Sequence, residues 1–479
     1  MVNSKLLELI KSFSPEEKDA FILFLNSPYF VRVGAAEMIR YFNYLVNLSS
    51  VNQEAQHYKE ALHQAVYPEK PWSEARLERA STRLYQLAIQ FLKTQYYLLP
   101  DNELHQELEM AVVFRKRNMV ALYIKQMMAL KKKAAEIKQE STKNYLFKYQ
   151  IAYEEHVWQS LTNNLKTDLA IADLLDNLDL FYHNERTEML NRFSLHQKMG
   201  NPKTSETLKL ALDADLAPSF LDQRSPLLLI RKKIRESFFL SEPDRENFEN
   251  LTTLLKTHEH SLAADVTGDL YSFLRSYCTY LISTGQVDLQ VTLHEIQKDN
   301  LKKGYFHFKG KINPINFSNI TRVALGINQV QWAKEFVESN RKKILTESEL
   351  EEVYKLNLAL CLFEEKKFEQ AHSNILYSFH SNVLFWVARR LELRIHFELQ
   401  SDLLPYRIES FRKYIQRTGR KNASGLDMEA NANFIHVLLQ LAQSAAKNAK
   451  RSESIIRRIY KKKLVAERKW LLEKAYELA

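Results

Sequence analysis

The chain has 479 residues, and its 9 Gly and 11 Pro make up about 4% of them, against an average of roughly 12%. Because turns, bulges and hairpins consume these two residue types, the composition argues against a sheet-rich fold and predicts an all-α one. The 45% hydrophobic and 26% charged residues are typical of a soluble globular protein, and the two cysteines, Cys278 and Cys361, exclude a disulfide scaffold and a cysteine-based zinc site.

The net charge of +10 is concentrated near the end of the chain. Residues 447–469 contain 10 Lys or Arg and 2 Glu, an excess of +8, which leaves +2 for all other residues. The basic character therefore belongs largely to one C-terminal helix or helix pair.

No targeting or membrane segment is expected. The N-terminal segment MVNSKLLELIKSF lacks an apolar run of signal-peptide length. The longest stretch free of charged residues, 370–388, contains two His, three Ser and two Asn, so it is not typical of a membrane span. We expect a cytoplasmic protein.

The first helices carry start and stop signals. Ser14-Pro15-Glu16-Glu17 matches a capping box with Pro at the first helical position. The segment FLNSPYF (24–30) predicts that this helix ends before Pro28, because proline restricts the preceding residue to extended geometry. We expect Tyr29 and Phe30 to fold back under the helix end, with a binding loop that exposes Tyr29 as the alternative.

A second and a third helix are predicted for residues 36–48 and for residues 74 to about 99. The inward residues of the longer one are predicted to be Leu77, Leu84, Leu87, Ala88 and Phe91. Residues 98–101 form a plausible boundary, so residues 1–100 are predicted to be an N-terminal helical region.

Residues 101–300 are predicted to form a middle array of antiparallel helices, because short breaks separate long helical patterns. The predicted breaks lie near residues 138–141, 162–164, 200–202, 217–218 and 242–243.

Residues 301–479 are predicted to be TPR-like repeats that end in a basic helix. Within residues 354–379, Ala359 and Ala371 stand where a tetratricopeptide repeat needs small residues, while Leu362 and Phe368 fill the space between the two helices. Lys366-Lys367 replaces the usual glycine of the turn. Related helix pairs are predicted around residues 320–336 and 391–415. We therefore predict an α-solenoid, a TPR-like stack of antiparallel helix pairs that follows the N-terminal helical region.

Several segments together resemble a family of all-helical, TPR-like repeat proteins of Bacteroidetes-type bacteria. They are FLNSPYF, VYPEKPW (66–72), QWAKEFVE (331–338), FEEKKFEQA (363–371) and RKWLLEKAYEL (468–478). The resemblance spans most of the chain. It implies a fold and a bacterial cytoplasmic setting, and it implies no activity and no functional residues.

Motifs of catalysis and cofactor binding are weak. Gly304 to Gly310-Lys311 is one residue too long for a phosphate-binding loop and lacks the Ser or Thr that should follow. We expect no catalytic residue, no cofactor and no small-molecule substrate, so the chain is not expected to be an enzyme.

Metal-ligand spacings occur but favour solvated side chains. Glu-x-x-His is present three times, yet two copies share one helix and His372, in the third, is expected on the outer side of its repeat. His258 and His260 lie on different faces of a helix. We therefore expect no metal site. The three pairs are Glu54 with His57, Glu60 with His63, and Glu369 with His372, and a further spacing joins Asp176, Asp179 and His183.

Two segments suggest binding. Residues 305–308, Tyr-Phe-His-Phe with lysines on both sides, are either a stacking platform for single-stranded nucleic acid or a buried or short extended segment, and we favour the second. In the repeat, Leu356 and Leu360 occupy the face that grips acidic peptides in other TPR modules. That groove is therefore apolar or filled by the protein's own next helix, and we favour the filled groove.

The basic C-terminus is the strongest candidate site. Its isoleucines predict an inward face, which leaves the cations outside. Such a surface is a solvated or internally paired face, a site for an acidic protein, or a site for nucleic acid. The candidate anion-binding residues are Arg457, Arg458, Lys461, Lys462 and Lys463. The leading hypothesis is a non-enzymatic interaction or scaffold protein with an unknown protein partner, and the alternative is a nucleic-acid-associated protein that binds through residues 447–469.

Overall fold

A computed structural model of the protein describes residues 4–47, 55–162, 169–200, 219–345, 349–376, 379, 381–422, 425–443, 449–462 and 464–478. These residues form 22 α-helices and one two-stranded hairpin, which confirms the all-α prediction. The predicted breaks at residues 163–164, 201–202 and 217–218 lie outside the described residues. None of the described helices is both long and apolar enough to cross a membrane.

The chain divides into two compact units, Met1–Lys133 and Ala134–Ala479. The helices of the first unit are α1 (Ser4–Lys11), α2 (Pro15–Asn26), α3 (Ala35–Val46), α4 (Ala55–Val66), α5 (Glu74–Tyr97), α6 (Glu103–Lys116) and α7 (Val120–Glu136), the last of which runs just past its end.

The predicted start and stop of α2 are both present. The Glu17 backbone N–H donates to Ser14 Oγ at 3.1 Å, and the Ser14 N–H donates to the Glu17 carboxylate at 2.8 Å. The helix ends at Asn26. The Phe30 ring stacks on Phe24 with centroids 4.2 Å apart, whereas Tyr29 is 84% exposed. The prediction that both rings fold back is right for Phe30 and wrong for Tyr29, which extends into solvent.

Helices α1 to α5 share one hydrophobic core, in which the buried residues run from Leu6 to Phe91. The Phe21 ring lies at its centre, 5.0 Å from Phe42 and 5.2 Å from Phe91. All five predicted inward residues of α5 are buried. The apolar stripe of α5 is therefore the surface on which the preceding helices pack.

The second unit begins after Lys133. Its helices are α8 (Thr142–Leu161), α9 (Leu169–Gly200), α10 (Pro226–Ile234), α11 (Arg245–His258), α12 (Ala264–Ser283), α13 (Leu289–Lys302), α14 (Pro314–Gly326), α15 (Val330–Ser339), α16 (Leu350–Glu364), α17 (Phe368–Ser373), α18 (Asn382–Glu398), α19 (Leu404–Asn422), α20 (Gly425–Ala442), α21 (Ala449–Lys461) and α22 (Arg468–Glu477).

Helices α14 to α22 pack around one hydrophobic core that extends from Phe306 to Ala475. From α13 onward, each helix contacts the next one in sequence. Helix α14 also contacts α16, and α16 also contacts α18. Leu356 and Leu360 of α16 are buried, which agrees with a filled groove at this repeat.

The same turn recurs between helices of both units. One residue adopts a left-handed conformation, at Asn118 (φ 60°), Asn328 (φ 62°), Lys366 (φ 61°) and Gln400 (φ 49°). The N–H of the residue after it donates to a carbonyl five positions earlier, as from Lys367 to Leu362 at 2.9 Å. This is a Schellman closure, which satisfies the last carbonyls of the helix and reverses the chain.

A short hairpin precedes α14. Strand β1 (His307–Phe308) pairs antiparallel with β2 (Lys311–Ile312), and the turn residues Lys309 and Gly310 both have positive φ. Phe306 is buried, and the Tyr305 hydroxyl donates to Glu259 Oε1 at 2.9 Å. The segment is thus the short extended element that we favoured, with Phe308 exposed.

Candidate anion-binding surface

Helix α21 is fixed by one apolar side. Ser452, Ile455 and Ile459 are buried, and the Ser452 hydroxyl donates to the Ala475 carbonyl of α22 at 2.6 Å. Their spacing of three and four residues places them on one face. The opposite face therefore carries the cations to solvent, as the sequence predicts.

The structure brings four of the five predicted residues together. Arg457, Arg458 and Lys461 are exposed, and Lys462 is half-buried. Lys463 lies outside the described residues. We call the exposed side formed by Lys450, Arg451, Arg457, Arg458, Lys461 and Lys462 the α21 cationic face.

The partners of these cations are mostly neutral. Arg458 Nη1 donates to His436 Nε2 at 3.0 Å, and Lys462 Nζ donates to Asn433 Oδ1 at 2.6 Å. Burial, and then the charges of Arg458 and Lys462, lower the pKa of His436. The imidazole is thus neutral near neutral pH, and its Nε2 accepts a hydrogen bond from Arg458. Both interactions orient a cation without cancelling its charge.

Among the described residues, Arg457 of this face forms an ion pair with Glu453. Arg457 Nη2 is 2.6 Å from Glu453 Oε1, and both side chains are largely exposed. Such a pair contributes little stability, typically about 0.2–1 kcal/mol. Internal pairing therefore accounts for Arg457 and leaves the charges of Arg458 and Lys462 uncompensated.

The two cations that follow have structural roles. Arg468 donates from Nη1 to the Ile459 carbonyl at 3.0 Å and from Nη2 to the Lys462 carbonyl at 2.6 Å, which caps the end of α21. Lys469 Nζ donates to the Gly326 carbonyl at 3.1 Å and to Asn328 Oδ1 at 2.8 Å. The basic residues of the C-terminal segment thus form two groups. One group makes up the exposed face, and the other, Arg468 and Lys469, makes hydrogen bonds within the protein.

Sequence reasoning missed the tyrosine beside this face. Tyr460 is 62% exposed, and Tyr476 is 55% exposed. The hydrogen bond between their hydroxyls raises the pKa of Tyr476. An exposed ring next to Arg458 and Lys461 is the combination on which nucleic-acid bases stack. The alternation of basic and aromatic residues in RRIYKK is the signal that identifies it.

A second cationic site, also missed, lies in the first unit. A cavity of about 370 Å³ is lined by Met38, Tyr67 and Ala80 together with Arg76, Arg79 and Arg83 of α5. The three arginines donate to the backbone carbonyls of Pro71, Ala75 and Val33. Their spacing of three and four residues along α5 predicts that they lie on one face of the helix.

The potential metal ligands that the structure brings together differ from the sets that the sequence spacings suggested. Asp176 pairs with Arg224, while Glu259 accepts hydrogen bonds from Tyr271 and Tyr305. Glu54 and the side chain of His57 lie outside the described residues. His372 is exposed, as expected, but it lies beside Glu392 and His396 of α18. The missed signal is the spacing of four residues between Glu392 and His396.

Comparisons with protein-family models, with curated proteins and with solved structures found no match for this chain.

Proposed function

We propose that the protein is a non-enzymatic cytoplasmic interaction or scaffold protein whose C-terminal part is a TPR-like stack of helix pairs. The contacts of α14 with α16 and of α16 with α18 support the stack, since every second helix of such an array is a neighbour. The recurring left-handed turn at Asn328, Lys366 and Gln400 supports it as well. Helix stacks of this type present extended binding surfaces.

The proposal that the protein binds another protein rests on exposed apolar residues of α7. On α7, Val120, Ile124 and Met128 are 41%, 45% and 68% exposed, whereas the neighbouring Tyr123 and Met127 are buried. The three exposed residues follow at intervals of four and form one stripe, which we call the α7 stripe. Contiguous exposed apolar residues mark protein-binding sites, and methionine adapts to irregular partners.

The test is capture of proteins from a native lysate by the full-length chain, with nuclease present and absent, followed by quantitative mass spectrometry. The variant Ile124→Ser/Met128→Ser removes the two most exposed residues of the α7 stripe. The control Ile171→Ser/Leu175→Ser removes two apolar residues of α9 that have the same spacing and are 43% and 51% exposed.

We expect a protein that the wild type and the control both capture, with or without nuclease, and that the stripe variant loses. Equal capture by both variants, or no specific protein at all, would contradict the proposal.

A second candidate function is association with nucleic acid through the α21 cationic face. The observation that favours it is the set of cations on neutral partners beside the exposed Tyr460 ring. Such a face attracts phosphates, and its affinity should fall steeply with salt because binding releases counterions.

The change that tests it is Arg457→Gln, Arg458→Gln, Lys461→Gln and Lys462→Gln together, measured by fluorescence anisotropy on single- and double-stranded oligonucleotides. We expect affinity to fall by roughly tenfold or more, and the salt slope to decrease by about 3 to 4. The charge-matched control replaces four other exposed cations, Lys116, Lys125, Lys132 and Lys143, by Gln.

Two results would assign the face differently. Equal affinities of the two variants would show that oligonucleotide binding is diffuse. An acidic protein that is captured regardless of nuclease and lost with the α21 variant would assign the face to protein binding.

A further inference from the structure

Three potential metal ligands converge where α17 meets α18. His372 comes from α17, whereas Glu392 and His396 lie one turn apart on α18. One ligand atom from each lies within 4.8 Å of the other two. The His372 and His396 ring centroids are 5.2 Å apart, with the ring planes at 69°. Three ligand atoms that each lie about 2 Å from one ion are less than about 4 Å apart, so binding needs an inward rotation of a side chain such as the exposed His372.

The state of His396 points to a ligand. This side chain is 6% exposed, and within the described part of the chain neither of its ring nitrogens has a hydrogen-bond partner. Buried polar atoms in folded proteins are nearly always paired, so an imidazole with two unpaired nitrogens needs an explanation. A neutral imidazole offers the lone pair of such an unpaired nitrogen to a metal ion.

Glu392 is held in place with one oxygen left accessible. It is 2% exposed. Oε2 accepts from Arg389 Nη1 at 2.9 Å. Oε1 forms an ion pair with Arg407 Nε at 3.5 Å, and this Nε makes no hydrogen bond to any described residue. Arg389 therefore orients the carboxylate and Oε1 retains coordinating capacity, an arrangement found around metal-bound carboxylates. The two guanidinium groups also repel a cation, so they lower its affinity.

We propose that His372, Glu392 and His396 bind one divalent transition-metal ion of the zinc class. Two imidazoles and one carboxylate suit Zn²⁺ or Fe²⁺, whereas Mg²⁺ and Ca²⁺ prefer oxygen ligands. Because His372 is exposed, the fourth position faces solvent and is open to water or an external ligand. The ion would link the short helix α17 to α18, independently of the proposed protein-binding role.

The experiment uses the full-length protein, stripped of metal with a chelator and then titrated with Zn²⁺ against a chromophoric competitor. We expect one Zn²⁺ per chain. Affinity should fall by roughly tenfold or more in His372→Ala, Glu392→Gln and His396→Gln. The control is His260→Ala, which removes an exposed histidine next to Glu259 and should leave affinity unchanged. Parallel titrations with Fe²⁺ under anaerobic conditions and with Mg²⁺ distinguish the class of metal.

A second readout does not depend on the competitor. Co²⁺ in a site with two nitrogen ligands gives a visible ligand-field spectrum, which His372→Ala should abolish. His372 is at the surface, so this variant decides the question even if His396→Gln fails to fold. The proposal is overturned if the wild type does not compete for Zn²⁺ or if His372→Ala binds as tightly as the wild type.

Discussion

Glu467 pairs with two buried arginines of the C-terminal core. It accepts from Arg390 Nε at 2.9 Å and from Arg394 Nη1 at 3.0 Å. Arg390 also donates to Asn431 at 2.8 Å, and Arg394 also donates to Glu364 at 3.0 Å. Glu467 itself has a left-handed backbone (φ 54°) at the start of α22. One residue thus connects α16, α18 and α20 to the turn that leads into α22.

Removing this charge should destabilise the protein strongly. Burial would raise the pKa of Glu467, but the charges of Arg394, Arg390 and Arg322 outweigh it and lower the pKa to about 2. Glu467→Gln leaves the buried Arg390 guanidinium without its carboxylate and Arg394 with Glu364 alone, so we expect the free energy of unfolding to fall by about 3 kcal/mol in urea titrations. Glu473→Gln, at an exposed site of α22, is the matched control and should change it by less than about 0.5 kcal/mol.

The same carboxylate predicts a pH dependence. Its folded pKa, about 2, lies below the ordinary value of 4.5, so the unfolded chain takes up the proton first as the pH falls. The stabilisation is complete above the ordinary value and is lost as the pH falls towards about 2. The gap in unfolding free energy between wild type and Glu467→Gln should therefore narrow from about pH 6 to about pH 3. A constant gap would show that the effect is not ionic.

At the level of the elements, the left-handed turns hold non-glycine residues in a strained backbone conformation that a substitution by glycine can relieve. Lys366 has φ 61° and is exposed, a conformation that costs a non-glycine residue roughly 1–2 kcal/mol. Lys366→Gly should relieve it, and after the entropy that glycine adds to the unfolded chain we expect a gain of about 0.5–1 kcal/mol. Lys367→Gly, at an exposed site with φ −92°, should give no gain. Thermal unfolding of both variants measures the difference in stability. An equal change in the two variants would show that the left-handed turn is not the cause of the gain.

The helices whose signals are local were predictable. The capping box at Ser14 and the stripe of α5 needed no tertiary information. The end of α17, within residues 354–379, was not predictable from the sequence. Helix α17 stops at Ser373, where the Asn374 amide donates to the Gln370 carbonyl at 2.9 Å. A side chain that bonds the backbone four residues earlier competes with helix continuation, and the apolar pattern beyond it carries no sign of this.

The two candidate sites differ in the same way. The α21 cationic face was predictable because Ile455 and Ile459 fix the direction of their own helix. The metal ligands were not predictable as a set, since His372 and His396 come from two helices and meet only through packing. The spacing of Glu392 and His396 was visible, but ion pairs and hydrogen bonds at this spacing are common on helices.

At the scale of the whole molecule, the N-terminal core and the C-terminal core each draw on one stretch of sequence. The buried residues of the N-terminal core run from Leu6 to Phe91, and those of the C-terminal core run from Phe306 to Ala475. A core whose residues are close in sequence favours independent folding, because its contacts form without closing long loops of chain.

This separation predicts that residues 1–102 fold without the rest of the chain. The fragment contains α1 to α5 and the whole N-terminal core, and it ends near the boundary that the sequence suggests at residues 98–101. We expect a helical circular dichroism spectrum and a cooperative thermal transition.

Two variants of the fragment distinguish a packed core from a loose helical assembly. Phe21→Ala should cost about 3–5 kcal/mol, because it opens a cavity against Phe42 and Phe91. Leu23→Ala, at a site that is 72% exposed, should cost less than about 0.5 kcal/mol. A fragment that melts without cooperativity, or that loses the same amount in both variants, would mean that the core needs residues beyond 102 and that the boundary lies later in the chain.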